Sequence, residues 1–341
     1  MKQYPQEQNY LKAYLKDQNI PHFEEYQQEL IRSKVISLKK LAEKFPWLHN
    51  SMELLPFLII AGFWYFLIFV LPDNIQNKKS LFILIFSLHG FLGYQWVIYG
   101  LHEGAGHGLF KNKKNLFHKT FRFLAFHSSR VMMADPVYYQ KNHRTHHQFT
   151  GTEKDGSQTN FVLLRRIIIS LLPGAGIFFP NDYRVHKGDD LSLSLLISFI
   201  IGLGRFTIEY IALKPYFTFF EIITMLFFLS PWVGLSLDRI RESLEHHLMP
   251  QSKIYGTKEL GLGPLALVIA GGPWGQPCHL SHHLAPGLNW YQQIRLSLYL
   301  NSILTDIQKR FFGFQTSFLK LLFVETKLHM RFEFSPQESS K

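Results

Sequence analysis

The sequence predicts an all-α integral membrane protein, with four transmembrane helices in two hairpins and a cytoplasmic helical cap. Three observations predict it. Four apolar stretches approach or exceed the roughly 20 helical residues that a bilayer crossing takes. Lys and Arg crowd the segments that would lie on one side of those stretches. Nine histidines, eight of them in three clusters and one apart, fall in those same segments.

Residues 1–53 read as a polar cytoplasmic N-terminal segment, without the short apolar core of a cleaved signal. The first span is expected at about Leu54–Leu71, ended by Pro72, and the second at about Leu81–Leu101. Between residues 102 and 190 the run Ile167–Pro180 is too short to cross, holds Pro173 and two glycines, and follows Arg165-Arg166. It reads as an interfacial segment lying on the membrane. The third and fourth spans, about Leu191–Leu213 and Tyr216–Leu237, are separated only by Lys214 and Pro215, which demands a tight helical hairpin. The run Leu260–Gly272 is again too short to cross and is rich in Gly. Residues 54–300 therefore form the membrane domain. Residues 301–341 form a cytoplasmic tail with scattered aromatics, and its last residues, Ser335–Lys341, read as disordered.

Of the 36 Lys and Arg, 32 lie in residues 1–53, 102–190 and 238–341. Three lie in the connections 72–80 and 214–215, and Arg205 lies inside the third span. The excess of positive charge on cytoplasmic loops then puts both termini and every histidine cluster in the cytoplasm. Two hairpins also return the chain twice to the same face, so the clusters can meet. The formal net charge of +11 reads as loops facing anionic lipid rather than a nucleic-acid surface. The single cysteine, Cys278, excludes an intrachain disulfide and any four-cysteine iron–sulfur or zinc site within the chain.

The histidine clusters carry the chemistry. The first is His102-Glu103-Gly104-Ala105-Gly106-His107, the second His143-Arg144-Thr145-His146-His147, and the third His279-Leu280-Ser281-His282-His283. A pair, His246-His247, follows Glu245. Imidazole is the commonest ligand for transition metals and needs no thiolate beside it. On a helix, residues i, i+3 and i+4 share one face, so each HxxHH box projects three imidazoles to one side. Three on one face exceed what one ion takes when other boxes also serve it, so the boxes are expected to reach two ions. In the first box, i and i+5 stand about 140° apart on an α-helix. His102 and His107 are therefore expected either to diverge to different ions or to sit at a helix end, where three nearby glycines weaken regular helix. The spacing excludes the HExxH zinc-protease motif by one residue, and Glu103 is expected to orient a ligand imidazole. The unclustered His22, His49, His118, His186 and His329 read as surface residues, and His89 as a polar residue facing the interior of the bundle.

Imidazole ligands alone suit zinc, copper, iron or nickel. A site at the mouth of a helix bundle, where lipid chains enter, offers unactivated C–H bonds, and their attack needs a redox metal and O2. A transporter would carry its polar residues along the mid-membrane, whereas the spans hold only His89, Arg205, Glu209 and Glu221.

These boxes resemble those of the membrane fatty acid desaturase and hydroxylase superfamily, whose pattern is HxxxxH or HxxxH, then HxxHH, then HxxHH. An Arg-x-x-x-Glu-His element stands between the last two, matched here by Arg241-Glu242-Ser243-Leu244-Glu245-His246. The third box runs on as His282-His283-Leu284-Ala285-Pro286-Gly287-Leu288-Asn289-Trp290-Tyr291, similar to the family's HHLxPxxPWY, with Asn289 where that pattern has proline. The second runs on to Thr150-Gly151-Thr152-Glu153-Lys154-Asp155, similar to a family stretch that ends in an acidic residue. The likeness covers about residues 50–300. It implies two iron ions held by His102, His107, His143, His146, His147, His246, His279, His282 and His283. Some acyl-CoA members carry an Asn four residues before the isolated His. Glu242 stands there in this chain, one turn before His246, able to bind a metal-bound water or to orient a ligand. His246 is preferred to His247 because it follows Glu245. The resemblance further implies O2 activation and a cis double bond placed in an acyl chain of a lipid or thioester. A hydroxylase or carotenoid ketolase uses the same boxes. Two electrons per turnover must come from a separate donor, a ferredoxin or a b-type cytochrome with its reductase, because the chain contains no haem or iron–sulfur motif. A basic cytoplasmic face suits an acidic donor.

Overall fold

The computed structural model describes residues 20–107, 116–129, 143, 145–150, 155, 191–246, 249–250, 252 and 254–314. Among them there are helices and no strands. The expected interfacial segment Ile167–Pro180, the C-terminal Ser335–Lys341, His186, His247 and His329 lie outside the described residues.

Helix α1, Glu25–Lys44, starts on a reciprocal capping box between Glu24 and Gln27. Four helices are long and apolar enough to cross a membrane. α2, Pro46–Asn74, has Pro at its first turn and a mean hydropathy of 2.5. α3, Lys78–Gly104, starts where the Asn77 side chain accepts from the Ser80 amide. A shorter helix, α4, spans Leu116–Ser129. α5, Leu191–Leu213, is followed by a five-residue connection and a Thr218–Glu221 capping box, which starts α6, Phe219–His246. The short helices α7, Pro264–Ile269, and α8, His279–Leu284, precede α9, Trp290–Ile303, and α10, Asp306–Phe311.

The expected first two spans lie inside α2 and α3, and the third coincides with α5. The fourth differs at both ends. Lys214, Pro215 and three further residues make the turn, and α6 runs without a break past Leu237 to His246. The α6 helix itself therefore carries the fourth histidine element. α2 runs across residues 53 and 54, and α9 across residues 300 and 301.

Among the described residues, the two larger of three apolar clusters organise the packing. One joins Phe57, Ile68, Ile85, Tyr99, Ile222 and Met225 from the membrane-length helices α2, α3 and α6. The other joins Phe23, Ile31 and Leu38 to Leu280, Leu296, Leu300 and Phe312, so α1 is seated on the C-terminal helices. Its polar ties include Gln27 Nε2 donating to Ile303 O at 3.0 Å and Gln292 Nε2 donating to Leu38 O at 2.7 Å. Helices α3 and α6 approach at glycines. A Cβ on Gly90 would stand 2.3 Å from Ser230 O, and one on Gly234 would stand 3.2 Å from Gly90 O.

His89 is buried, facing the interior of the bundle as expected. Its Nε2 lies 3.0 Å from Glu209 Oε1, which also accepts from Arg205 Nε at 2.7 Å and Trp64 Nε1 at 2.8 Å. These polar side chains on the membrane-length helices thus bind one another. His118, expected on the surface, is buried on α4, whose amphipathic pattern turns that face inward.

Candidate metal centre

The first histidine box lies where α3 leaves α-helical geometry. Val97–Gly106 is a π-helical segment, and the His107 amide donates to His102 O at 3.2 Å. Bonding from i+5 to i brings residues five apart onto one face. His102 and His107 therefore do not diverge. Their ring centroids are 4.9 Å apart and both belong to one group of imidazoles. The α-helical angle of 140° fails here because the helix is wider.

The nine histidines form two groups. His102, His107, His143, His147 and His282 bring one ring nitrogen each within 4.8 Å of one another, and so do His146, His246, His279 and His283. Each HxxHH box serves both groups. In the second box the i and i+4 members, His143 and His147, join the first group, and the i+3 member, His146, joins the second. The third box does the reverse: His279 and His283 join the second group and His282 the first. A helix turns about 400° over four residues and 300° over three, so i and i+4 diverge by 40° while i+3 swings to the other side.

The nitrogens that meet are the Nε2 atoms of His107, His143, His147 and His282 in the first group and of His246 and His279 in the second. In the first group, His147 Nε2 lies 3.0 Å from His143 Nε2, 3.2 Å from His107 Nε2 and 3.1 Å from His282 Nε2. In the second, His279 Nε2 lies 3.0 Å from His246 Nε2. Outer groups hold the opposite ring nitrogen of His102, His146, His246 and His282. His146 Nδ1 lies 3.0 and 3.1 Å from the two Asp155 oxygens, and His246 Nδ1 donates to Gly256 O at 2.8 Å. Glu103 Oε1 lies 3.0 Å from His102 Nδ1 and 3.4 Å from His282 Nδ1, which also faces the Gln293 amide at 3.1 Å. Such partners fix the ring orientation and leave Nε2 with its lone pair turned inward.

The electrostatics favour neutral rings. Burial, reinforced by neighbouring imidazoles, holds His143, His279 and His282 well below the usual histidine range. All nine of these histidines except the partly buried His107 are buried. Neutral, desolvated, convergent nitrogens suit borderline first-row ions such as iron, copper or zinc.

Glu242 is part-exposed and pairs with Arg239 at 3.1 Å. The buried carboxylate of that element is Glu245, which accepts from Arg241 Nη1 at 2.6 Å. Arg241 Nη1 also donates to Gln276 Oε1 at 2.6 Å, and the Gln276 amide packs on the His102 ring. Asp155, Gln276, Gln293 and Gly256 went unassigned by sequence reasoning. Gln276 and Gln293 have no spacing signature, and Gly256 contributes only its carbonyl. Asp155 could have been found, because an acidic residue closes the stretch that follows the second box.

Among curated proteins, the chain is similar to the acyl-CoA C20 Delta5-desaturase of Anemone leveillei, 27% identical over 122 residues, covering 35% of this chain and 37% of that protein. It is also similar to acyl-CoA 5-desaturase AL21 of Anemone leveillei, 26% identical over 133 residues, covering 38% of this chain and 39% of that protein. The chain thus matches less than two fifths of the length of these relatives. No family model and no solved structure matches it.

Proposed function

We propose that the chain is a membrane-bound oxidoreductase that desaturates fatty acyl chains at a two-iron centre. One observation carries the reading: nine histidines on membrane-length helices and the segments after them meet as a group of five and a group of four. The distant likeness to acyl-CoA desaturases supports the substrate class. In this reading the four long helices form two hairpins, and the histidine-bearing segments form a cytoplasmic cap with both termini on the same side. The lopsided distribution of Lys and Arg supports that orientation.

When bound, the two irons supply O2 activation strong enough to oxidise an unactivated methylene. The chain does the rest. Its nine imidazoles hold the ions, with Nε2 as donor wherever an outer partner holds Nδ1. Glu103, Asp155 and the Gly256 carbonyl hold His102, His282, His146 and His246 in register. Burial of the ligand set excludes bulk water, which would otherwise quench a strong oxidant. Electrons arrive from a separate donor protein, drawn to a basic cytoplasmic face.

Expression in a host with defined lipids tests the reading. New acyl chains lighter by two hydrogens are expected, and they should vanish in a His283→Ala variant that still inserts. Products heavier by one oxygen would instead identify a hydroxylase on the same site. Stoichiometric zinc with full activity would sink the iron assignment.

A further inference from the structure

We infer that Glu245 is a direct ligand of the metal ion in the four-histidine group, completing it to five protein ligands. The inference rests on the two-metal reading above.

Glu245 is fully buried, one residue before His246 on α6. Its Oε2 lies 3.4 Å from His279 Nε2. That nitrogen is the inward atom of the ring, because it faces His246 Nε2 at 3.0 Å while His246 Nδ1 is tied to the Gly256 carbonyl. Glu245 therefore reaches the side on which the donors converge. Its second oxygen, Oε1, is buried with no hydrogen-bond partner. An unpartnered carboxylate oxygen at such a place is costly unless a cation takes it.

Glu103 makes the contrast. It also abuts two ligand imidazoles, but through the Nδ1 atoms of His102 and His282, on the outside of the five-histidine group. It orients rings from outside, whereas Glu245 meets His279 at the ring nitrogen that faces His246. One group has five imidazoles and the other has four. Arg241 fixes the carboxylate through Oε2 and is itself anchored by Asp238 at 2.9 Å and by Gln276. Oε1 is left to the ion. A carboxylate on one ion alone makes the two ions chemically distinct, since a hard anionic oxygen favours the more oxidised state of iron.

Glu245→Gln tests this, because it keeps the size of the side chain and the bond to Arg241 but removes the anionic donor. Wild-type holoprotein enriched in 57Fe is expected to hold about two irons per chain and to show two Mössbauer doublets. The variant is expected to bind one iron at least ~10-fold more weakly and to lose one doublet, with the other unchanged. Arg241→Gln, which removes the anchor and keeps the carboxylate, is expected to retain both doublets. Two unchanged doublets in Glu245→Gln overturn the proposal. So does loss of both irons, since that is the signature of a structural role. In wild-type protein labelled with 13C-glutamate, loading iron is expected to shift a carboxylate stretching band. The absence of a shifted band overturns the proposal without recourse to any variant. Fewer than two irons in the wild type would instead defeat the two-metal reading on which the inference rests.

Discussion

Removing the Asp155 carboxylate should weaken the second metal group and spare the first. Asp155 is buried and touches His146 Nδ1 through both oxygens, at 3.0 and 3.1 Å. His146 is the one ligand that the second box contributes to the four-histidine group. Without Asp155 the imidazole loses its orienting acceptor, and the tautomer that frees Nε2 is no longer favoured. Loss of such an outer partner typically costs about 10–100-fold in metal affinity, or about 1.4–2.7 kcal/mol. Asp155→Ala is expected to show that loss for one of two ions. Asp155→Asn keeps an oxygen that can accept from Nδ1–H and should lie between. The assay is equilibrium competition with chelators of graded strength, with metal counted per chain by mass spectrometry. The reasoning fails if Asp155→Ala holds both ions within two- to threefold of wild type, or if both ions weaken together.

Other perturbations separate the centre from the scaffold. His146→Ala and His283→Ala should abolish turnover and lower the bound metal, whereas His22→Ala, at an exposed position, should leave both unchanged in the same assays. Glu209→Ala should lower thermal stability in detergent by about 3–5 kcal/mol, because it removes the buried carboxylate that Arg205 and His89 share; a change under 1 kcal/mol would show that the cluster is not a stabilising one. Gly90→Val should separate α3 from α6 at a cost of about 1–3 kcal/mol and lower metal occupancy with it, because these helices carry the first and fourth histidine elements. Burial pushes the Glu259 carboxyl up to about 7, from an ordinary value near 4.5. The unfolded chain therefore releases its proton first as pH rises, and the folded state loses stability between about pH 4.5 and 7. Glu259→Gln should raise the melting temperature above pH 7 by the equivalent of roughly 3 kcal/mol at most, with little change at pH 4. Measuring variant against wild type at each pH cancels the titrations that both share, and an equal effect at pH 4 and pH 8 would refute the assignment.

Much of the scaffold was legible because its determinants are local and repetitive. Apolar runs of membrane length located all four long helices, since lipid tolerates little else. α6 passes Leu237 and runs to His246, with Asp238 and Glu245 both tied to Arg241 along it. Hydropathy sees those charges and stops the span. The convergence of the nine histidines follows from spacing and shared sidedness. The burial of His118 does not, because it depends on which face of α4 meets the bundle. The outer partners were least legible. Gln276 and Gln293 reach the rings across 174 and 11 residues of sequence, and only the folded chain brings them there.

The first box shows why spacing must be read together with helix type. Read as an α-helix, HxxxxH separates its imidazoles by 140°; read as the π-helix that forms here, it aligns them. Gly104 and Gly106 help to make that widening accessible, since glycine relaxes the steric preference for the tighter turn. The two HxxHH boxes stay α-helical at residues 145–149 and 279–284, and there the same arithmetic sends the i+3 imidazole away from its partners. The consequence is that neither HxxHH box belongs to one group. Each donates two imidazoles to one group and one to the other, in opposite senses, so the separation between the groups is set by the geometry of a single helical turn. Deleting one imidazole of either HxxHH box is therefore expected to strike the group it serves and to spare the other.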